Sequence, residues 1–251
     1  MDEYTLVELD PKFLFPMFEM VGTLIEELYR EVVGNELAEK FKKEIIEYGK
    51  GVYRDYQTKL QEAHKKLPEQ YARGLDKLLQ EINKLNSYEN EPSEWIDIFK
   101  SLPVYHLMNS IANSIIKHAK GNEIEKIPNV LEYLSKPEVY KTLLTTYIIK
   151  YLSAFETHKV QSADEKLEQM IYLKASNDTQ KYMEAIQNYV QEAIKTISSA
   201  LQDTSSYIED AIEALFYMNE KEFNKKIKNV LQEHREIVFG LRILDTLSKY
   251  S

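Results

Sequence analysis

The stretch VYKTLLTTYIIKYLSAF, residues 139 to 155, decides the fold class of this chain. Its apolar residues recur at helical steps and occupy most sides of the resulting helix instead of one stripe. A helix that is apolar on most faces has to be covered on most faces by neighbouring elements. We therefore predict that residues 139 to 155 form the most buried helix of a helical core. Lys150 and the short length of the stretch argue against a membrane span, which needs ~20 apolar residues.

Helical periodicity extends over most of the remaining chain. Before residue 66, apolar side chains recur at steps of three and four: Leu37, Phe41, Ile45, Tyr48, Val52, Tyr56 and Leu60. Asp10 and Pro11 predict the start of an earlier helix that runs to about Val33. The sequence contains no convincing strand and no fixed-period repeat, which disfavours a solenoid. These patterns predict an all-α bundle of roughly nine helices.

The polar stretch NSYENEP, residues 86 to 92, is the best candidate for a linker between domains. It predicts two packed helical sub-bundles, residues 1–87 and 93–251, joined by residues 88–92. One continuous domain is the alternative.

Four residue pairs have the spacing of a capping box, in which Glu follows a Ser or Asn by three positions. They are Ser135 with Glu138, Ser162 with Glu165, Ser206 with Glu209 and Asn219 with Glu222. Each pair predicts a helix start. Gly49 and Gly51 interrupt an otherwise periodic segment, and they indicate either a kink or close packing.

Composition limits the classes of function. Of 251 residues, 43% are apolar and 29% are charged, which is typical of a globular protein. The 32 basic and 41 acidic residues give a net charge of −9, which argues against a general nucleic-acid coat. The absence of Cys excludes disulfides, thiolate metal sites and Cys nucleophiles, and it favours a cytoplasmic location. With abundant Glu, Lys, Ile and Tyr, this usage also resembles that of thermophiles.

Known catalytic and metal-binding spacings are missing. None of the five histidines follows a carboxylate by three positions, as a di-iron bundle requires, and no His-x-x-x-His pair or phosphate-binding Gly-rich loop occurs. Several acidic and basic residues lie four apart, a spacing typical of solvated pairs: Glu36 with Lys40, Glu39 with Lys43, Asp55 with Lys59 and Glu62 with Lys66. We predict no catalytic residue, no metal site and no cofactor. An enzyme with a carboxylate metal site is a minority alternative.

The C-terminal segment carries a basic residue at every seventh position, which we call the basic stripe. Its members are Lys221, Lys228, Arg235, Arg242 and Lys249. A seven-residue repeat drifts by ~20° per heptad on a straight helix, so one continuous helix would have to supercoil against a neighbour to keep the stripe on one face. The segment from residue 219 has seven basic and five acidic residues, net +2. His234 lies on the apolar side and is interpreted as a core-edge histidine whose ring nitrogens are both hydrogen-bonded.

Beyond Glu236 the last helix is apolar nearly all round, and Phe239 lies away from its apolar seam. This pattern favours a non-enzymatic interaction or scaffold subunit that works through protein contacts, with a partner or with itself. The predicted contact residues are Lys221, Lys228, Arg235, Phe239, Arg242 and Lys249. The alternative is a subunit of a nucleoprotein complex whose basic stripe contacts phosphates. No membrane partner is expected.

Overall fold

The computed structural model describes residues 30, 34–86, 95–121, 123–162 and 164–248. These residues form nine α-helices and no strand, which confirms the all-α prediction. The helices are α1 (Asn35–Lys66), α2 (Glu69–Lys84), α3 (Trp95–Ala119), α4 (Ile127–Leu134), α5 (Pro137–Ser162), α6 (Asp164–Ala175), α7 (Thr179–Phe216), α8 (Glu220–Glu233) and α9 (Arg235–Ser248). A single 3-10 turn, Ile124–Lys126, precedes α4. None of the described helices combines the length and apolarity needed to cross a bilayer.

Helix α1 is unbroken through both of its glycines. Its buried face contains Leu37, Phe41, Ile45, Gly49, Val52 and Tyr56, at the predicted steps of three and four. This face packs against α3, and α1 also contacts α7. Gly49 therefore marks close packing and not a kink.

Helix α3 is the most continuously buried helix in the described part of the chain, so the prediction that residues 139 to 155 hold this place is wrong. From Ile98 to Ile116 only Asn113 is more than marginally exposed, whereas four residues between Val139 and Phe155 are half-buried. Helices α1, α5 and α7 all pack on α3. Its polar residues, such as His106 and Ser110, suggest a solvent-facing side in the sequence, but they are buried and hydrogen-bonded to other helices.

Helix α5 nevertheless lies in the core, as predicted. Tyr147, Ile148 and Ile149 are at most 1% exposed. Edge-to-face ring contacts join α5 to its neighbours: the ring centroids of Phe99 and Tyr151 are 4.7 Å apart. Such aromatic pairs add roughly 1 kcal/mol each beyond the burial of their area.

One of the four predicted helix caps is confirmed. The Asn219 side chain accepts a hydrogen bond of 3.0 Å from the backbone N–H of Glu222 at the start of α8. Ser135 instead ends α4 and donates to the Leu131 carbonyl, and Ser162 ends α5. Ser206 lies inside α7. The helix starts predicted after Ser135 and Ser162 are nevertheless found, since α5 begins at Pro137 and α6 at Asp164. Only the start predicted at Ser206 is wrong, because α7 continues through this position.

The predicted single C-terminal helix is two helices. His234 has φ −115° and ψ 37°, so the chain leaves helical geometry between α8 and α9. The apolar seam is buried on both sides of this break, at Phe223, Ile227, Val230, Val238 and Leu241. The prediction of one continuous helix that supercoils to keep the basic stripe on one face is therefore wrong.

The predicted linker 88–92 lies outside the described residues, and so does the predicted helix from Pro11 to Val33 apart from Arg30. Helix α1 from the predicted first sub-bundle packs directly on α3 and α7 from the second. The division into two sub-bundles stays a prediction.

Candidate functional site

A polar cleft with a volume of about 770 Å³ lies between α1, α3 and α7. Each helix contributes one polar face at steps of three and four residues. From α1 come Tyr48, Asp55 and Lys59; from α3 come His106, Asn109, Ser110 and Asn113. From α7 come Lys195, Ser198, Ser199, Gln202, Ser205 and Glu209. The cleft is thus built on three long, rigid elements.

A hydrogen-bonded chain forms the floor of the cleft, and its proton positions follow from Ser205. The Ser205 hydroxyl donates its one proton to the Leu201 carbonyl at 3.0 Å. It must therefore accept from Tyr147, whose hydroxyl lies 2.9 Å away, and from the Nδ1–H of His106 at 3.4 Å. With Nδ1 protonated, Nε2 of His106 accepts from the Tyr48 hydroxyl at 3.0 Å.

The floor is uncharged at neutral pH. Burial lowers the pKa of His106 to about 4, although the nearby Asp55 carboxylate opposes that shift. Burial also raises the pKa of Tyr48 and of Tyr147. Because Nε2 of His106 already accepts a hydrogen bond from the Tyr48 hydroxyl, this histidine holds the floor together and has no free lone pair for a general base.

The walls of the cleft hold two carboxylates, and an amide donates to each. The Asn109 side-chain NH₂ donates to Asp55, and that of Asn113 donates to Glu209 at 2.9 Å. Burial raises the pKa of Glu209, and the Asn113 hydrogen bond partly offsets this effect. Both carboxylates therefore already accept a hydrogen bond from a side chain of the protein.

Sequence reasoning missed the cleft. The spacing of Asp55 and Lys59 predicts a solvated pair, but Asp55 pairs across the bundle with Asn109. His106 matches no metal-binding spacing, so the sequence assigns it no role. A signal is present nonetheless: polar residues at 106, 109, 110 and 113 share one face of a helix that is otherwise apolar.

A second candidate is the outer face of α9, which we define as Phe239, Ile243 and Leu247. These side chains are 65%, 45% and 62% exposed. They recur every four residues, so they form one apolar stripe along the helix. The opposite face, with Val238 and Leu241, is buried.

The break at His234 divides the basic stripe between two helices. Lys221 and Lys228 lie on α8, and Arg235 and Arg242 lie on α9. All four are exposed. Lys249 lies outside the described residues. Phe239, the other predicted contact residue, lies on the outer face of α9 beside Arg235 and Arg242.

His234 lines a smaller cavity of about 430 Å³ beneath the break. Its Nε2 is buried and has no hydrogen-bond partner, and the same holds for the Tyr207 hydroxyl in that cavity. The prediction of a fully hydrogen-bonded ring is therefore wrong. Burial, followed by the charge of Lys150, lowers the pKa of His234.

Within the ranges that the structure describes, no group of three or more His, Asp or Glu side chains could hold a metal ion. Comparison of the chain with protein-family models, with characterised proteins and with solved structures finds no match.

Proposed function

We propose that the protein is a non-enzymatic helical subunit that pairs with a second copy of itself through the outer face of α9. One observation carries this proposal: Phe239, Ile243 and Leu247 form a continuous apolar stripe that is about half or more exposed along its length. Single exposed apolar residues are ordinary, but contiguous ones mark interaction surfaces.

Covering this stripe is energetically favourable. Burying a large apolar side chain stabilises by roughly 1.5–3 kcal/mol, and three of them lie in one row. The row is self-complementary in an antiparallel arrangement. If a two-fold axis passes beside Ile243, Phe239 of one copy faces Leu247 of the other, because both lie four residues from the axis.

Charge permits a second copy to occupy this face. The chain as a whole carries a net charge of −9, so two copies repel each other over most of their surfaces. Helix α9 is neutral, since Arg235 and Arg242 balance Glu236 and Asp245. Two copies can therefore approach at α9 without like-charge repulsion. We place this pairing in the cytoplasm, because a chain without Cys needs no oxidising compartment.

The proposal is tested by light scattering on the purified chain. Wild type should give a mass near twice 29.5 kDa at high concentration. Phe239→Glu with Leu247→Glu should give a monomer, because the charges would be buried without partners in the pair. Tyr172→Glu is the matched control, since Tyr172 is 73% exposed on α6. It should leave the mass unchanged.

A wild-type monomer at all concentrations would overturn self-association. A monomer that is retained on nucleic acid in a salt-dependent manner, and loses that retention when Arg235 and Arg242 are changed to Gln, would support the nucleoprotein alternative instead.

A further inference from the structure

Helices α8 and α9 are joined by a single residue, His234. Its backbone has φ −115° and ψ 37°, outside the helical range, and neither Pro nor Gly lies at the break. Helix α9 nevertheless starts on this residue, because the backbone N–H of Val238 donates to the His234 carbonyl at 3.1 Å. A movement of His234 therefore moves the first turn of α9.

Few side chains hold α9 to the bundle. Among those that the structure describes on this helix, only Val238 and Leu241 are buried. Ile237 is half-buried, and the outer face of α9 is exposed. Elements with few buried apolar contacts open locally at a lower free energy than the core of a protein does. The docking of α9 is thus sensitive to the state of the break.

The imidazole ring of His234 lies in a setting that suits only its neutral form. The ring lines the cavity of about 430 Å³ beneath the break, and its Nε2 is buried without a hydrogen-bond partner. In a protonated imidazole both nitrogens are N–H donors. The Nε2–H of the cation would therefore be a buried, charged donor without an acceptor, which costs more than an unpaired neutral group.

Two carboxylates line the same cavity, and neither forms an ion pair with the His234 ring. The Glu233 carboxylate of α8 lies 3.6 Å from the Lys150 ammonium of α5. Asp203 of α7 is exposed to water. A proton on the ring would thus add to the positive charge of Lys150 without gaining a carboxylate partner of its own.

The other titratable groups near the break do not change this balance. Tyr207 of α7 stays uncharged, because burial raises its pKa to about 12. Arg235 and Glu236, at the start of α9, are exposed and opposite in charge. Burial and then the charge of Lys150 lower the pKa of His234, and the Glu233 charge only partly offsets them.

The sign of the pH effect follows from these surroundings. An imidazole in water has a pKa of ~6.5. A form of the protein in which the ring reaches water therefore takes up a proton at a higher pH than the docked form does. The contribution of the neutral ring to docking is fully present above pH ~6.5 and is lost as the pH falls below that value.

We propose that His234 is a pH-sensitive hinge, whose protonation in mildly acidic solution opens the break and releases α9 from the bundle. Release takes place within one chain, so it is independent of whether two copies pair.

Amide hydrogen exchange at about pH 7.5 and about pH 5, corrected for the intrinsic pH dependence of exchange, measures this release. The amides of residues 237–248 should be less protected than those of α3 at both pH values, because α9 opens without the rest of the fold. Their protection should fall by about threefold or more at the lower pH. Equal protection of α9 and α3, or no loss in α9 at the lower pH, would overturn the hinge.

His234→Gln removes the titrating ring and should abolish the acid-dependent loss of protection in α9. His106→Gln is the matched control, since it removes another histidine whose pKa is lowered by burial but which lies away from the break. It should leave the loss in α9 as in wild type. A loss in α9 that survives in His234→Gln would overturn the hinge.

Lys150→Gln tests the same hinge with the histidine in place. It removes the charge that repels a protonated ring and frees Glu233 to pair with it, so it should reduce the acid-dependent loss in α9. Lys141→Gln removes the same charge from α5 outside the cavity and should have no effect. An equal response in the two lysine variants would overturn the role of the charge beside His234.

Discussion

A Cβ atom added to Gly49 would lie 1.8 Å from Cγ2 of Ile98. Carbon atoms in van der Waals contact are roughly 3.5–4.0 Å apart, so no side chain fits between α1 and α3 at this point. A Cβ atom added to Gly51, two residues along the same helix, would meet no heavy atom within 4 Å. The two glycines of α1 therefore differ completely in their surroundings.

Changing each glycine to Ala should shift stability in opposite directions. Gly49→Ala should destabilise the protein by about 3 kcal/mol, because Ile98 and the two helices must move apart. Gly51→Ala should stabilise by up to about 1 kcal/mol, because Ala is the better helix former and its Cβ meets nothing. Urea unfolding measures both. If the two variants were equally stable, the close contact of α1 with α3 would be wrong.

A second prediction concerns the loss of stability at low pH. The pKa of His106 is about 4 in the folded protein, below its ordinary value of 6.5. The unfolded chain therefore binds a proton in this range that the folded chain does not. The part of the free energy of unfolding that depends on this proton is fully present above pH ~6.5. It is lost, by roughly 3 kcal/mol in total, as the pH falls towards ~4.

His106→Gln should reduce the loss of stability between pH 6.5 and 4 and should lower stability at neutral pH, since the hydrogen bonds with Tyr48 and Ser205 are altered. Urea unfolding at several pH values measures both effects. An unchanged pH dependence in His106→Gln would contradict the buried, neutral histidine.

Sequence periodicity predicts α1 well because the buried face of this helix is apolar. Leu37, Phe41 and Ile45 show this on α1, where all three are buried as expected. The periodicity fails for α3, because Ser110 and His106 look like solvent-facing residues until their partners on other helices are known. The partners Tyr147 and Tyr48 are 37 and 58 residues away in sequence. Pairings over such distances depend on tertiary packing, which local spacing does not encode.

The break between α8 and α9 shows the same limit. Helical spacing continues across His234, so the sequence predicts one helix. The structure ends the first helix at His234, although the residues around the break include no Pro and the nearest Gly is Gly240. Likewise, the sequence predicts that Phe239 lies away from the apolar seam. That Phe239 and Leu247 belong to one exposed stripe is known only once the structure places α9 in the bundle.

A third prediction tests the core position of α5. Ile148 is 1% exposed. Ile148→Asp places an unpaired charge among apolar side chains and should cost several kcal/mol, enough to abolish folding in soluble form. Ile171→Asp is the matched control, because Ile171 is 64% exposed on α6. It should fold with stability within about 0.5 kcal/mol of wild type. A stable Ile148→Asp protein would contradict the placement of α5.

The last prediction concerns the described part of the basic stripe. Lys228, Arg235 and Arg242 are exposed, and on such surfaces long side chains keep their charges in water while their stems cover apolar neighbours. Changing all three to Gln should alter the free energy of unfolding by only about 1 kcal/mol, since exposed ion pairs are weak.

The same triple variant distinguishes self-association through α9 from nucleic-acid binding, because the two functions predict different effects on the mass and on binding. If α9 pairs with a second copy, the dimer should persist in the triple variant, because Phe239, Ile243 and Leu247 remain. It should be weaker than in wild type, because each α9 then keeps Glu236 and Asp245 without Arg235 and Arg242. If the stripe binds phosphates, the fold should persist while the slope of nucleic-acid binding against salt falls by up to about three units. We expect a dimer in light scattering and no salt-dependent retention of wild type on nucleic acid. Loss of the dimer in the triple variant would mean that the cations, and not the apolar stripe, hold the two copies together.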